Sequence, residues 1–289
     1  MYHKTFGYRA FSLVNYLILG ILGILCILPM VHVLAVSFSG KSAAAAHLVS
    51  FWPIDFTVEA YAKTIDNENF IRSLGIAIKR TVFGTLITMI LITLAAYPLS
   101  KEFKGRNLYS WFFVVTMLFS GGLVPSYILI SNLHLMNTIW ALILPGAVNV
   151  WLMILLLNFF RGVPKELEES AYIDGATPLR TLVYIYLPIS MPAIATLVLF
   201  SIVANWNSWF DGLLYITNYR QYPLATFLQT IIVQQDFSKI APRPEELENL
   251  SQRTVKAAQI FIGALPVLLI YPFLQKYFVK GIVLGAVKE

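Results

Sequence analysis

The chain has 289 residues, 58% of them hydrophobic and only 12% charged, and a mean hydropathy of +0.71. Soluble globular domains carry charge on roughly a quarter of their residues, so this composition excludes that class. The net charge of +6 does not indicate nucleic acid either, because the 21 Lys and Arg residues are spread through the connections between apolar blocks, where they orient a membrane chain and meet lipid head groups.

Six apolar blocks follow in order, at about 12–38, 81–99 (with a helical lead-in from about 71, giving a span of 71–99), 108–130, 138–160, 188–207 and 257–279. Each can cross a hydrocarbon core of about 30 Å as a helix. They are apolar without interruption and lack in-out alternation, which favours helices over a barrel. No linker or low-complexity tract separates them apart from Ala43–Ala46. The predicted fold is an all-α integral membrane protein with six transmembrane helices, one membrane domain over residues 1–289.

The first block is too long for the h-region of a signal peptide and has no small-x-small cleavage site after a short core, so it is expected to remain as the first span. It holds the one cysteine, Cys26, expected to be a small packing residue. His32, in the same block, is expected to pack against another helix; an ionisable group at membrane depth also allows a proton-relay role. Gly40-Lys41-Ser42 looks like the end of a phosphate-binding loop, but position 35, where the upstream glycine belongs, is Ala35, and a membrane helix precedes it in place of a strand. It reads as a membrane-exit turn.

Gly121-Gly122 with Pro125 is expected to unwind the third block, and Pro145-Gly146 to break the fourth. Lys and Arg are denser in the short segments that face one side: Lys4, Arg9, Lys101, Lys104, Arg106, Arg161, Lys165, Arg180, Lys276, Lys280 and Lys288. Lys41, Lys63, Arg72, Lys79, Arg80 and Arg220 lie in longer loops on the other side. The positive-inside rule discounts long loops and places both termini in the cytoplasm. The long outer loops are then about 39–80 and 208–256, and the large inner loop is 161–187. Phe51-Trp52-Pro53, Trp206, Trp209 and Phe210 are expected at the outer interface as aromatic anchors. Pro242-Arg243-Pro244-Glu245-Glu246 is expected to start a short helix in the second outer loop.

Catalytic and metal sites find no support. His3, His32, His47 and His134 are scattered, no His-Glu-x-x-His or clustered Cys/His spacing exists, and no paired carboxylates lie inside a span. No metal ligands and no catalytic residues are assigned, and no nucleic-acid partner is expected.

The inner loop carries the strongest local pattern. Pro164 starts a helix whose first turn is acidic, favourable against the helix dipole. Gly175 permits a turn at positive φ, and Thr177-Pro178 restarts a second helix that runs to Pro188. Leu179, Leu182, Val183 and Tyr186 form a stripe expected to lie against the bundle. Two short helices meeting at a glycine would project from the membrane surface as a knob. Without a partner the same pair would be a simple interfacial hairpin.

Glu169-Ser170-Ala171, three residues, Gly175, nine residues, then Ile185-x-Leu187-Pro188 resembles the Glu-Ala-Ala signature of permease subunits in binding-protein-dependent ABC importers, with Ser170 replacing the first alanine. Asp174-Gly175-Ala176-Thr177-Pro178 and the closing Gly281-Ile282-x-x-Gly285-Ala286-Val287-Lys288 resemble the MalG-like permeases of the maltose and oligosaccharide group. The resemblance implies a type I importer permease fold, with a cytoplasmic coupling-helix pair between the fourth and fifth spans. It implies that Glu169, Ser170, Ala171, Asp174, Gly175, Ala176, Leu187 and Pro188 serve contact with a cytoplasmic ATPase. The tail from about Gly281 would reach between ATPase subunits.

Partners implied are a second related permease in a heterodimer, two ATPase subunits that hold ATP and Mg, an extracellular solute-binding protein, and a carbohydrate. This chain itself is expected to bind no cofactor and to sit in a bacterial plasma membrane. Asn205, Trp206, Asn207, Trp209 and Asp211 join aromatic faces to amides and a carboxylate, as sugar sites do, and are candidates for the solute pathway. The alternatives from other classes are an importer of the same architecture for a peptide, amino acid or anion, a secondary transporter working without an ATPase, and a scaffold.

Overall fold

The structure is a computed structural model that describes residues 6–238 and 253–286. Every regular element among these residues is helical. Three helices are long and apolar enough to cross a membrane unbroken: α1 (Phe6–Ser37), α4 (Glu68–Ser100), and α15 (Arg253–Ala286), which passes the same test over Arg253–Pro272. Two short helices, α2 (Lys41–Ala45) and α3 (Glu59–Asp66), lie between α1 and α4.

Three more candidate spans are bent helix pairs. α5 (Arg106–Leu118) and α6 (Leu123–Asn132) meet at 108°, α7 (Ile139–Ile143) with its following turn to Gly146 and α8 (Val150–Arg161) at 47°, and Pro178–Ile189 and α12 (Met191–Asn207) at 83°. With each pair counted as one span, the described residues hold up to six candidate spans by length and composition, the number expected. The first two bends fall at Gly121-Gly122, where Gly122 has φ +88°, and just after Pro145-Gly146. Glycine and proline weaken the helical ladder at these points as the sequence predicts. The helix expected from Pro242 lies outside the described residues, as do the last three residues of the tail.

The chain divides into two compact units, residues 1–70 with 230–264 and residues 71–229 with 265–289. In the first, Ala35, Val36, Ala43, Ala44, Val49 and Ala257 form a small core, and Arg253 donates to the Ala44 carbonyl at 3.1 Å. Gly40 precedes α2, and Lys41 pairs with Glu59 at 2.5 Å, so the Gly-Lys-Ser tripeptide is a helix start tied by an ion pair. Nδ1 of His32 meets the Ser50 carbonyl at 2.7 Å; the histidine holds a loop and does not simply pack against a helix. Cys26 is exposed on α1 and has no packing role within the chain. None of the most apolar window of α1 is buried, and a helix apolar on every face suits lipid or a neighbouring subunit.

The second unit holds the main core. Ile92, Ala96, Tyr97 and Leu99 of α4 pack with Leu152, Met153, Leu156, Leu157 and Phe160 of α8, and Leu182, Tyr186 and Leu197 close the cluster. Tyr97, Phe160 and Tyr186 meet edge-to-face at centroid distances of 5.1–6.4 Å, a favoured aromatic arrangement.

The knob follows the sequence closely. α9 (Lys165–Ile173) starts after Pro164 and has Glu166 and Glu168 in its first turn. It ends in a Schellman arrangement. The Ala176 N–H donates to the Ala171 carbonyl at 2.9 Å, the Gly175 N–H donates to the Tyr172 carbonyl at 3.0 Å, and Gly175 sits at φ +76°. The Thr177 hydroxyl then accepts from the Arg180 N–H, and Pro178 opens α10 (Pro178–Thr181).

One detail differs. Residues 182–186 form a π-helical turn before α11 (Leu187–Ile189). The wider turn shifts the buried face to Thr181, Leu182, Tyr186 and Ser190 and leaves Leu179 and Val183 exposed. The expected stripe assumed uninterrupted α-periodicity.

An added Cβ at Gly175 would meet nothing within 4 Å, so glycine is needed there for its backbone angle and not for space. Gly175→Ala should cost about 1–2 kcal/mol at the turn, and Gly175→Asn should recover much of it. Hydrogen exchange at the Ala176 amide is the measurement. Alanine should speed it about tenfold, since about 1.4 kcal/mol corresponds to one decade; equal disruption by alanine and asparagine would point to a steric cause instead.

Candidate functional site

The first candidate site is the knob surface. Glu169, Ser170, Asp174 and Gly175 are exposed, Ala171, Ala176 and Leu187 are half-buried, and Pro188 is exposed. The Ser170 hydroxyl donates back to the Glu166 carbonyl at 2.8 Å and leaves the adjoining face flat. Large apolar side chains surround these small residues in the open: Ile173 is 86% exposed, and Leu167, Tyr172, Leu179 and Tyr184 are also exposed. Apolar residues grouped at the tip of a polar connection mark an interaction surface.

Beneath that surface lies a cluster that the motif reading did not assign. Lys101, just beyond α4, donates to Oε2 of Glu168 at 2.5 Å and to the Tyr186 hydroxyl. Tyr186 donates to Oε2 of Glu168 at 2.9 Å, and Tyr172 donates to its Oε1 at 3.0 Å. The Lys101 ammonium also sits 3.9 Å from the Tyr186 ring centroid and 4.7 Å from that of Tyr97, close enough for cation–π attraction.

The Glu168 carboxylate is 13% exposed. Burial pushes its pKa up, but the hydrogen bonds from Lys101, Tyr186 and Tyr172 outweigh burial and hold it below the ordinary 4.5. A carboxylate shifted this way stabilises the fold above its ordinary pKa, and the contribution is lost as pH falls through the lowered value. A surface pair between Lys165 and Glu102 at 3.2 Å, both sides more than three-quarters exposed, contributes little by comparison.

The second candidate is a polar cavity of about 360 Å³ in the same unit, lined by Arg80, Thr88, Asn149, Ser201, Asn205, Ser208, Asp211 and Tyr215 with apolar neighbours. The Arg80 side chain is 4% exposed and makes a two-pronged pair with Asp211. It also donates to the carbonyls of Ser208 at 3.0 Å and Leu142 at 3.4 Å. Asp211, in α13 (Phe210–Tyr215), further accepts from the Ser208 hydroxyl at 3.0 Å and the Gly212 N–H at 2.9 Å. The Asn205 amide donates to the Ser201 carbonyl at 2.9 Å. Its oxygen lies where a Cβ on Gly84 would come within 2.5 Å, so glycine makes room for it. The charges cancel, and the wall offers both donors and acceptors, which suits a hydroxyl-rich neutral or weakly charged solute.

The structure separates the candidate solute residues. Asn205 and Asp211 line this cavity. Trp206 is buried and faces a separate apolar cavity of about 130 Å³ bounded by Ile78, Thr81, Val82, Ile202, Pro266, Val267 and Ile270. Asn207 is exposed, and Trp209 is exposed with its ring edge-to-face on Phe210 at 5.7 Å. Arg80, assigned to a loop from its charge, is instead buried inside α4. An arginine one turn before an apolar block needs a counterion, and Asp211 just past another block was the clue.

The comparisons with known proteins agree with this architecture. Residues 1–284 match the family described as binding-protein-dependent transport system inner membrane component. The chain is 40% identical to Protein LplC of Bacillus subtilis (strain 168) over 99% of this chain and 97% of that one. It is 38% identical to the polygalacturonan/rhamnogalacturonan transport system permease protein YtcP of the same organism, over 97% and 99%. Among solved structures it resembles a chain of a bacterial ABC transporter involved in the import of the acidic polysaccharide alginate, with TM-score 0.86, 29% identity, and coverage of 96% of this chain and all of that one. With nearly the whole chain matched, this protein belongs to the family of binding-protein-dependent transport system inner membrane components.

Proposed function

We propose that the chain is one permease subunit of an ATP-driven importer that carries an oligosaccharide or related carbohydrate across the bacterial plasma membrane. Family membership makes it a transport permease. The carbohydrate assignment is supported by relatives whose names concern polygalacturonan and rhamnogalacturonan transport and alginate import, and by a cavity wall rich in amides, hydroxyls and one ion pair.

The observation that carries the coupling role is the exposed, glycine-hinged knob with Ile173 at its tip. In this reading the knob faces the cytoplasm, both termini lie on that side, and Glu169, Ser170, Ala171, Asp174, Gly175 and Ala176 dock into a cleft of an ATPase subunit, with Leu187 and Pro188 at the return to the membrane. ATP and Mg are held by two such partner subunits, and this chain hydrolyses nothing. A second, related permease completes the pathway, and an extracellular binding protein delivers the solute. Closure of the ATPase pair moves the knob and shifts the permease between two states, each favoured by a different ligand condition. The two compact units act together as one permease domain.

Ile173 is nearly free of contacts within the chain, so Ile173→Asp should fold and insert normally. A buried apolar anchor at an interface contributes enough that its loss should lower ATPase co-purification and uptake by about tenfold or more. Uptake at the wild-type rate with that variant would reject the docking role.

For the cavity, Asn205→Leu removes one amide without touching the Arg80–Asp211 pair. It should lower carbohydrate uptake about three- to tenfold, the worth of one or two neutral hydrogen bonds, and leave ATPase association unchanged. Stimulation by a peptide, amino acid or inorganic anion in place of a sugar would reassign the solute.

A further inference from the structure

Three features of the second unit are not explained by the docking surface alone. α9 is attached to the bundle covalently only through residues 162–164 and 174–177, both turns. It is held at its centre by Glu168, which receives Lys101, Tyr186 and Tyr172 together. Lys101 directly follows α4, a continuous helix with Pro98 in its last turn that carries Arg80 about 30 Å away at the cavity, taking 1.5 Å of rise per residue.

We propose that Lys101, Glu168 and Tyr186 form the joint through which displacement of the knob is delivered to α4, and that α4 carries it to the Arg80–Asp211 pair at the solute cavity. The proposal rests on the coupling reading above and specifies which span receives the movement.

The argument is one of relative stiffness. The two turns that flank α9 can flex, whereas separating Glu168 from Lys101 would strand a mostly buried carboxylate and an ammonium held against two tyrosine rings. A force on the knob therefore moves α4 before it opens the cluster. The π-turn at 182–186 places Tyr186 so that its hydroxyl reaches both ends of the ion pair while its ring stays in the core against Tyr97 and Phe160. One residue thus joins the charged joint to the packed helices. At the far end Arg80 ties α4 to Asp211 and to the Ser208 and Leu142 carbonyls, so a shift or rotation of α4 must alter the cavity wall. Coupling of this kind needs a contiguous network with a mechanical path, and residues 80–101 supply one.

Lys101, Glu168 and Tyr186 are positioning residues in this scheme, since none lines the solute cavity. The test uses the complete importer reconstituted in liposomes with its binding protein, reading ATPase co-purification, ATP hydrolysis and solute imported per ATP. Lys101→Met and Glu168→Gln should each keep ATPase association within about twofold and hydrolyse ATP. Solute imported per ATP should fall about tenfold, the response to a coupling loss of about 1.4 kcal/mol. Lys101→Arg, which preserves the charged donor, should restore most of the yield, and Tyr186→Phe should give an intermediate loss.

Unchanged import per ATP in Lys101→Met would overturn the proposal. Loss of ATPase association in step with import would also overturn it, by reducing the cluster to a support for the docking surface. Failure of the wild-type chain to associate with any ATPase would instead reject the underlying coupling reading.

Discussion

A charge is kept inside an apolar chain at low cost only if it is paired, and α4 is organised around two places where this happens. In its first half the two terminal nitrogens of the Arg80 guanidinium are matched by Asp211 and two backbone carbonyls, while Nε has no partner among the described residues. Beyond its C-terminal end Lys101 is matched by Glu168 and two tyrosine rings. Each pair links α4 to an element far away in sequence, α13 in one case and α9 in the other. Removing a single partner would leave an uncompensated charge, which costs about 3–5 kcal/mol in a buried setting. The pairs therefore determine which elements must stay together when the helices move.

Between those anchors the packing is ordinary. Ile92, Ala96 and Leu99 of α4 meet Leu152, Leu156 and Phe160 of α8. Small residues at Ala96 and Gly84 allow close approach at the helix face and beside Asn205. Flexibility is placed elsewhere, at Gly122, near Pro145-Gly146 and at Gly175, where the backbone leaves the α-helical path. A membrane permease needs rigid rods and localised breaks, because unsatisfied backbone groups are tolerated only where protein or water can reach them.

The exposed surface is informative in the same physical terms. The most apolar stretch of α1 is exposed on every face, and only the helix's last turns, at Ala35 and Val36, enter the chain's own core, as expected for a helix whose surroundings are lipid or another subunit. The knob is the reverse case, a polar connection with apolar residues standing at its tip. Its turns are satisfied internally by the Schellman bonds and the Thr177 cap, so its exposed side chains are left for a partner.

The part of this protein governed by local rules is legible from its residues in order. Span number and approximate limits follow from the length of apolar runs. The breaks follow from Gly-Gly and Pro-Gly, and the knob's turns follow from Pro164, Gly175 and Thr177-Pro178, because each residue acts on its own backbone. The long-range pairings come from packing. Lys101 with Glu168 is separated by 67 residues and Arg80 with Asp211 by 131, and a charge pattern does not say which carboxylate a cation will face. The same reason separates Asn205 and Asp211, which share a cavity, from Trp206, which turns toward another. It also accounts for the misplaced stripe, since the π-turn at 182–186 arises where tertiary packing brings Tyr186 to Glu168 and the hydrophobic period alone reads as plain α-helix.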